Sequence, residues 1–354
     1  MSRFFSEKYA ALTPYTPGEQ PTDNEYVKLN TNESPFPPSP KAIACAAEEA
    51  ARLELYSDPT CRKLAERLAS HLGLDFDEVL MTNGSDEILN FAFMAFCDRD
   101  HPAVFPDITY GFYPVFAELN SVPYAEIPLK ADFTVDVNDY LGVGKTIFLA
   151  NPNAPTGLAL CRDDVEKIVK SNPNSVVVVD EAYVDFGGES CIGLIHQYDN
   201  LLVTQTFSKS RSMAGARLGF GAGCKELIRD LNTIKYSTNP YNVNRMTMAA
   251  GYGVLEDEGY TRENCAVIIE NRAYTTDALR ALGFTVLDSR ANFVFAKADW
   301  IGGGDLYRAL KDRGVLVRHF ERERLKDYNR ITIGSRSQME TLLTTIEAIR
   351  EDLK

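Results

Sequence analysis

Apolar and polar positions follow two patterns along this chain. Short apolar runs bounded by turn residues read as strands, and longer stretches rich in Ala, Leu, Glu and Arg read as helices. The clearest run, Val176-Val177-Val178-Val179, has no polar face and suits a strand covered on both sides. On this basis strands are predicted at 78–82, 103–105, 146–150, 175–180 and 201–204. Helices are predicted at 42–55, 61–72, 86–97, 112–119 and 162–170. A proline-dense segment, Ser34 to Pro40, leads into the first of them as extended chain. Alternating helices and doubly covered strands imply an α/β fold, a mainly parallel sheet between helix layers.

Beyond about residue 255 the pattern changes. A long charged helix at 258–282 is followed by strands at 284–287, 292–296, 315–318 and 330–333, with helices at 304–313 and 337–353 between and after them. We expect a large domain over 31–255 and a smaller α+β domain over 256–354. Residues 1–30 are too few to fold alone and are expected to pack on the smaller domain.

Composition narrows the function. The chain has 354 residues, 45% hydrophobic and 25% charged, which excludes wholesale disorder and permits a core without disulfide or metal staples. Its 37 basic against 50 acidic residues give a formal charge of −13, which argues against a nucleic-acid or anionic-membrane partner. Seven cysteines lie no closer than 16 positions apart, so there is no C-x-x-C signature, and they read as small hydrophobes in a reducing compartment. With no apolar leader segment, the expected location is the cytoplasm. The four histidines are scattered and form no ligand pair, so no metal site is expected.

One rival comes from another enzyme class. Gly142-Val143-Gly144-Lys145-Thr146 contains the Gly-Lys-Thr of a nucleotide-binding loop, and Val176 to Glu181 has the form of the acidic strand that accompanies it. That loop needs glycine where Asp139 stands, and it should open a helix rather than a strand. Gly215, Gly219 and Gly221 likewise lack dinucleotide spacing and read as turn and strand chemistry.

Four segments do fit one chemistry. Thr206-Phe207-Ser208-Lys209-Ser210, followed by Arg217, places a lysine between serines just beyond a buried-type strand. Asp180 ends the valine strand, with Tyr183 three positions on. Asn151 to Gly157 forms a turn-rich loop containing Asn153, and Asn83-Gly84-Ser85-Asp86 opens a helix where Ser85 or Asp86 is a candidate cap. A lysine that forms a Schiff base needs a carbonyl cofactor, and pyridoxal phosphate needs a carboxylate beside its pyridine nitrogen. Lys209 and Asp180 supply those groups. Asn153 and Tyr183 can bond the ring's phenolic oxygen, while Ser85, Asp86 (through its N–H), Thr206, Ser208 and Arg217 can hold the phosphate.

These segments resemble the fold-type-I pyridoxal-phosphate aminotransferases, and within them the histidinol-phosphate aminotransferases. The likeness is carried by Leu29-Asn30-Thr31-Asn32-Glu33-Ser34-Pro35, Tyr56-Ser57-Asp58-Pro59, Asn83 to Leu89, Pro106-x-x-x-Tyr110 and Val179-Asp180-Glu181-Ala182-Tyr183. Ser208-Lys209, Arg217 and Arg330-Ile331-Thr332-Ile333-Gly334 complete it. The resemblance implies that Tyr110 stacks on the cofactor ring, and that Tyr56 reaches the cofactor phosphate of a neighbouring subunit in a homodimer with shared sites. It further implies that Arg330, with Arg318 and Tyr15, binds the anionic end of the substrate. The implied reaction passes an amino group between L-histidinol phosphate and 2-oxoglutarate or glutamate in a ping-pong cycle. Threonine-phosphate decarboxylases and aromatic aminotransferases share this pattern and remain the nearest alternatives.

Overall fold

The proline-dense entry ends where local chemistry can start a helix. The Ser39 side chain accepts the Ala42 N–H, and Pro40 fills the first helical position, where its missing N–H costs nothing. The computed structural model describes residues 2–20 and 26–354. In chain order its first half holds β1 (Val27–Lys28), α1 (Pro40–Ala50), α2 (Arg62–Leu72), β2 (Val79–Thr82), α3 (Ser85–Phe96), β3 (Ala103–Pro106) and α4 (Phe112–Leu119). There follow β4 (Tyr124–Ile127), β5 (Thr146–Ala150), α5 (Arg162–Ser171), β6 (Val177–Asp180), β7 (Leu201–Thr206) and β8 (Gly219–Gly223). The remainder is α6 (Lys225–Thr238), α7 (Arg245–Leu255), α8 (Glu258–Ala281), β9 (Phe284–Val286), β10 (Phe293–Ala298), α9 (Gly303–Asp312), β11 (Val315–Leu316), β12 (Arg318–His319), β13 (Asn329–Thr332) and α10 (Arg336–Asp352).

Seven strands form one sheet in the order β2-β8-β7-β6-β5-β3-β4, all parallel except β8. Its two faces belong to different apolar clusters. Val177 and Val179 pack with α2, α5 and α7 through Leu64, Leu68, Val165, Ile168 and Val254, whereas Val178 packs with α3, α4 and α6 through Ile88, Phe116 and Leu231. The valine run is therefore a doubly covered central strand. Each such fully buried side chain contributes about 1.5–3 kcal/mol.

β8, sequence Gly-Phe-Gly-Ala-Gly, is the strand into which the turn and strand chemistry of Gly219 and Gly221 resolves, although glycine is weak there by propensity. Packing explains it: a Cβ at Gly219 would lie 2.4 Å from the Ser85 nitrogen, and one at Gly221 2.9 Å from Ile88. Only bare backbone lets α3 cross this strand so closely. β4 escapes the pattern, as an edge strand with no buried residue. α6 and α7 are likewise unpredicted.

The second sheet is antiparallel, β12-β13-β10-β9, and packs with α8, α9 and α10 around Leu306, Ile331, Leu342 and Ile346. The single strand predicted at 315–318 is two strands. β11 leaves this sheet to pair in parallel with β1, and β12 pairs with β13. The amino-terminal residues reach both halves of the molecule. Lys311 bonds Glu19 at 2.5 Å, while Tyr15 stacks on Phe112 of α4 with ring centroids 4.2 Å apart. Residues 21–25 of that expected segment lie outside the described residues.

The Gly142–Lys145 loop leads into β5 and opens no helix. The Gly142 and Gly144 N–H groups are taken by Ser171 Oγ and Asn172 Oδ1, both at 3.3 Å, so this loop is not built as a phosphate cradle. Among the described residues no helix is long and apolar enough to cross a membrane.

Candidate active site

The parallel strands β5, β6 and β7 end together at a cleft of about 910 Å³, the place where open α/β sheets collect ligands. Asp180 closes β6, pairing with Ala150 of β5 and Thr204 of β7. The turn after β7 presents Thr206, Ser208 and Lys209, and α3 points its N-terminus at the same space. Across the cleft the second sheet contributes Arg318 and Arg330, and the amino-terminal segment contributes Tyr15.

Asp180 is 5% exposed. Its carboxylate accepts the Ala182 N–H at 3.1 Å and the Tyr113 hydroxyl at 3.3 Å, with no cationic side chain paired to it among the described residues. Burial, reinforced by the nearby Asp86, pushes this carboxyl up to about 7. Burial also pushes the Lys209 amine down, to about 8, helped by the Arg330 charge. Lys209 Nζ donates to the Thr31 carbonyl at 3.1 Å. A buried acid and a buried amine, each shifted toward neutrality in one cleft, are what proton-transfer chemistry near pH 7 requires.

The end of the cleft nearest α3 is built for an anion. The N-cap is Gly84, at φ +79°, with no capping side chain, so neither Ser85 nor Asp86 caps the helix as the sequence suggests. The first-turn N–H groups are left facing the cleft without a side-chain cap. Asp86 instead spends its carboxylate on the Tyr110 hydroxyl (2.7 Å) and on Arg217 Nη2 (3.1 Å). Arg217 sits in the left-handed region at φ +56°, which costs a non-glycine residue about 1–2 kcal/mol, and this turns its guanidinium across Gly84. A Cβ at Gly84 would lie 2.8 Å from that guanidinium. Thr206 donates to Ser208 Oγ at 2.9 Å, and Arg217 Nη1 to the same oxygen at 3.4 Å.

At the other end Arg318 and Arg330 are cross-strand partners on β12 and β13. Like charges directly opposite one another repel. Arg318 is held by the Pro17 and Thr16 carbonyls at 3.2 and 3.3 Å, and Arg330 Nη2 donates to the Asn30 carbonyl at 3.0 Å. Arg330 Nε is buried without a hydrogen-bond partner. Burial holds this guanidinium below its ordinary range.

Tyr183 lies edge-on to Phe293, and its hydroxyl accepts Asn32 Nδ2 at 3.0 Å. Tyr110 meets Tyr113 edge-on, with centroids 5.8 Å apart. Asn153 is buried beside the cleft, where both amide hydrogens are engaged by the Ile108 carbonyl and Thr156 Oγ1, each at 3.0 Å. Tyr56 is elsewhere. It is 81% exposed and stacks on Tyr241, outside the cleft. Three site contacts have no counterpart in the sequence analysis: Thr31 against Lys209, Asn32 against Tyr183 and Tyr113 against Asp180. Tyr113 lies in the first turn of α4, its N–H bonded to the Tyr110 carbonyl, and nothing in its own neighbourhood marks it in the sequence.

The profile of the aminotransferase class I and II family matches residues 24–346 of this chain. The chain is 48% identical to histidinol-phosphate aminotransferase 1 of Bradyrhizobium diazoefficiens over 351 residues, covering 99% of both proteins. It is 46% identical to the histidinol-phosphate aminotransferase of Brachyspira hyodysenteriae, again over 99% of each. Its fold matches the crystal structure of histidinol-phosphate aminotransferase from Sinorhizobium meliloti in complex with pyridoxal-5'-phosphate, with a TM-score of 0.88 at 22% identity and 99% of each chain covered. A cleft that pairs a buried strand-end carboxylate with a loop lysine, on a fold and a full-length sequence shared with these proteins, places the chain in the class I and II aminotransferase family, among the histidinol-phosphate aminotransferases.

Proposed function

We propose that this chain is a pyridoxal-phosphate-dependent aminotransferase that moves an amino group between L-histidinol phosphate and 2-oxoglutarate. The relatives are named as histidinol-phosphate aminotransferases, and the Sinorhizobium structure is a complex with pyridoxal-5'-phosphate. The observation that carries the reading is Asp180, a buried carboxylate at a strand end with no cation beside it, facing a cleft that also holds Lys209. Such a carboxylate is stable as an anion only opposite a cation, and a protonated pyridine nitrogen is one.

The residues present fit this cofactor. The open N–H groups at the start of α3, the Thr206 and Ser208 hydroxyls and Arg217 would hold its phosphate, in the space that the missing Gly84 side chain leaves. Tyr110 would cover the ring, and Tyr183 would bond its phenolic oxygen. Asn153 can join Tyr183 there only by giving up its Thr156 contact. Pyridoxal phosphate supplies an aldehyde for an amine to attack and a ring that withdraws electrons from the substrate carbon. Lys209 supplies the amine. With its pKa near 8, roughly a quarter of it is free base at pH 7.5, against roughly a thousandth for an ordinary lysine. Lys209 Nζ would also serve as the base that holds and moves a proton at the substrate carbon. Asp180 would lie beside the ring nitrogen and favour its protonated form.

Substrate choice rests on the paired arginines. Two guanidinia facing each other across adjacent strands, one with an unsatisfied buried Nε, suit a doubly charged phosphate bound between them. Tyr15 would close over the same end. Tyr56 would serve the cofactor phosphate of a second copy in a homodimer. Its exposure, with exposed Leu53 and Leu55 just before it in the chain and exposed Tyr241 stacked on it, supports a covered surface there. All seven cysteines are free, which suits the reducing cytoplasm.

Borohydride reduction of the yellow holoenzyme, followed by peptide mapping, should place the pyridoxyl label on Lys209. Steady-state assays should then favour histidinol phosphate over phenylalanine and threonine phosphate. A label elsewhere would overturn the site, and outright preference for phenylalanine would overturn the substrate.

A further inference from the structure

Three consecutive residues of the amino-terminal segment touch three side chains of the cleft. The Asn30 carbonyl accepts from Arg330, the Thr31 carbonyl accepts from Lys209, and Asn32 Nδ2 donates to the Tyr183 hydroxyl. Asn32 is the most constrained of the three. It is 1% exposed and lies in the left-handed region at φ +57°, which asparagine tolerates better than most residues. Its N–H donates to Thr332 Oγ1 at 3.0 Å, its Oδ1 accepts the Thr332 hydroxyl at 3.1 Å, and its carbonyl accepts Asn292 Nδ2 at 3.0 Å.

These partners fix which way the amide faces. The Thr332 hydroxyl receives the Asn32 N–H, so its single proton goes to Asn32 Oδ1. With the amide reversed, that buried hydroxyl proton would lose this acceptor. Nδ2 is thereby aimed at Tyr183, whose oxygen must accept. A phenol that already accepts one hydrogen bond has its own proton free for another acceptor. Burial raises the Tyr183 pKa, and the Asn32 bond opposes that rise by stabilising negative charge on the phenol oxygen.

We propose that Asn32 is a positioning residue for Tyr183, turning its hydroxyl proton away from the protein wall and into the cleft, toward the phenolic oxygen of the cofactor. This rests on the assignment of Tyr183 given above. What holds Asn32 in place is the pairing of β1 with β11 and the Leu29 carbonyl accepting the Thr332 N–H of β13. Without the Asn32 donor the Tyr183 proton is free to turn elsewhere, and the cofactor's phenolic oxygen loses part of its stabilisation as an anion.

The test is the pH midpoint of the visible absorption change of the bound cofactor, read on reconstituted protein without substrate. Asn32→Gly keeps the positive φ and removes the donor. It should raise the midpoint by roughly 0.5–1 pH unit, the scale of one neutral hydrogen bond at 1.36 kcal/mol per unit. Tyr183→Phe should raise it at least as far, and Asn32→Gly added to Tyr183→Phe should produce no further shift. Asn32→Asp keeps the shape and the Thr332 contacts but can only accept from Tyr183, so it should raise the midpoint even if the glycine variant folds poorly. An unmoved midpoint in both Asn32 variants, or an equal Asn32→Gly shift with and without the Tyr183 hydroxyl, would overturn the inference. If Tyr183→Phe alone leaves the midpoint in place, the assignment of Tyr183 fails, and the inference with it.

Discussion

Asp180→Asn separates the charge of the carboxylate from its shape. The amide oxygen can still accept the Ala182 N–H, and its NH2 can donate to the Tyr113 oxygen, so both wild-type contacts have a replacement. What changes is ionisation. In the folded, cofactor-free protein burial raises the Asp180 pKa to about 7, whereas in the unfolded chain it is about 3.9. Between those values the folded state holds the extra proton, so stability falls as pH rises, and the whole cost is present above pH 7. Three units at 1.36 kcal/mol amount to about 4 kcal/mol at most, about half of which accrues between pH 5.5 and 8.5. For 354 residues at about 2.1 cal/mol/K each, 2 kcal/mol is about 3 °C in melting temperature. Thermal melts of the apoproteins should therefore show Asp180→Asn above wild type, with a gap that widens by about 3 °C from pH 5.5 to 8.5. Glu181, also buried and raised to about 7, is present in both proteins, so the part of its cost that comes from its own burial cancels. Saturating pyridoxal phosphate should reverse the order, since only the carboxylate can pair with a ring cation, and the variant should lose most of its turnover. A gap independent of pH, or a wild-type apoprotein that is the more stable at pH 8.5, would refute the account of Asp180 as a charge awaiting its partner.

Gly219→Ala places a methyl 2.4 Å from the Ser85 nitrogen and 2.5 Å from the Gly84 carbonyl carbon, so α3 must shift; equilibrium dialysis should show weaker cofactor binding, by tenfold or more. Arg330→Ala should lower kcat/KM for histidinol phosphate by tens- to thousands-fold, from a loss of about 2–5 kcal/mol at a buried charge site. Arg318→Ala should penalise phosphorylated substrate more than phenylalanine, and equal losses would remove the phosphate preference from Arg318. Mixing Tyr56→Ala subunits with Lys209→Ala subunits should restore activity above either parent, because one site of the mixed dimer keeps both residues. No recovery after demonstrated subunit exchange would place Tyr56 outside any shared site.

Much of this architecture was legible in the chain because its causes are local. The valine run needs cover on both faces and receives it, and the strands at 146–150 and 201–206 end where the turn chemistry of Asn151 and Ser208 begins. Asp180 ends one such strand and Lys209 stands just past another, so their placement at one end of the sheet follows from parallel strands. Partnership across long separations was not legible. Periodicity reads 315–318 as one strand, but Val315–Leu316 turns to β1 and Arg318–His319 to β13, because two different edges compete for the segment. The facing of Arg318 and Arg330 follows from that register and from nothing in their own neighbourhoods. β8 forms against glycine's propensity because α3 must pass within contact of it, a demand set by packing. The left-handed turn at Asn32 and its bond to Tyr183, 151 residues away, exist only once both sheets have closed around the cleft. Local pattern reads most of the strands and helices and the whole chemical inventory; which groups face each other is settled by packing, since hydrogen bonds and charges act over ångströms that sequence distance does not measure.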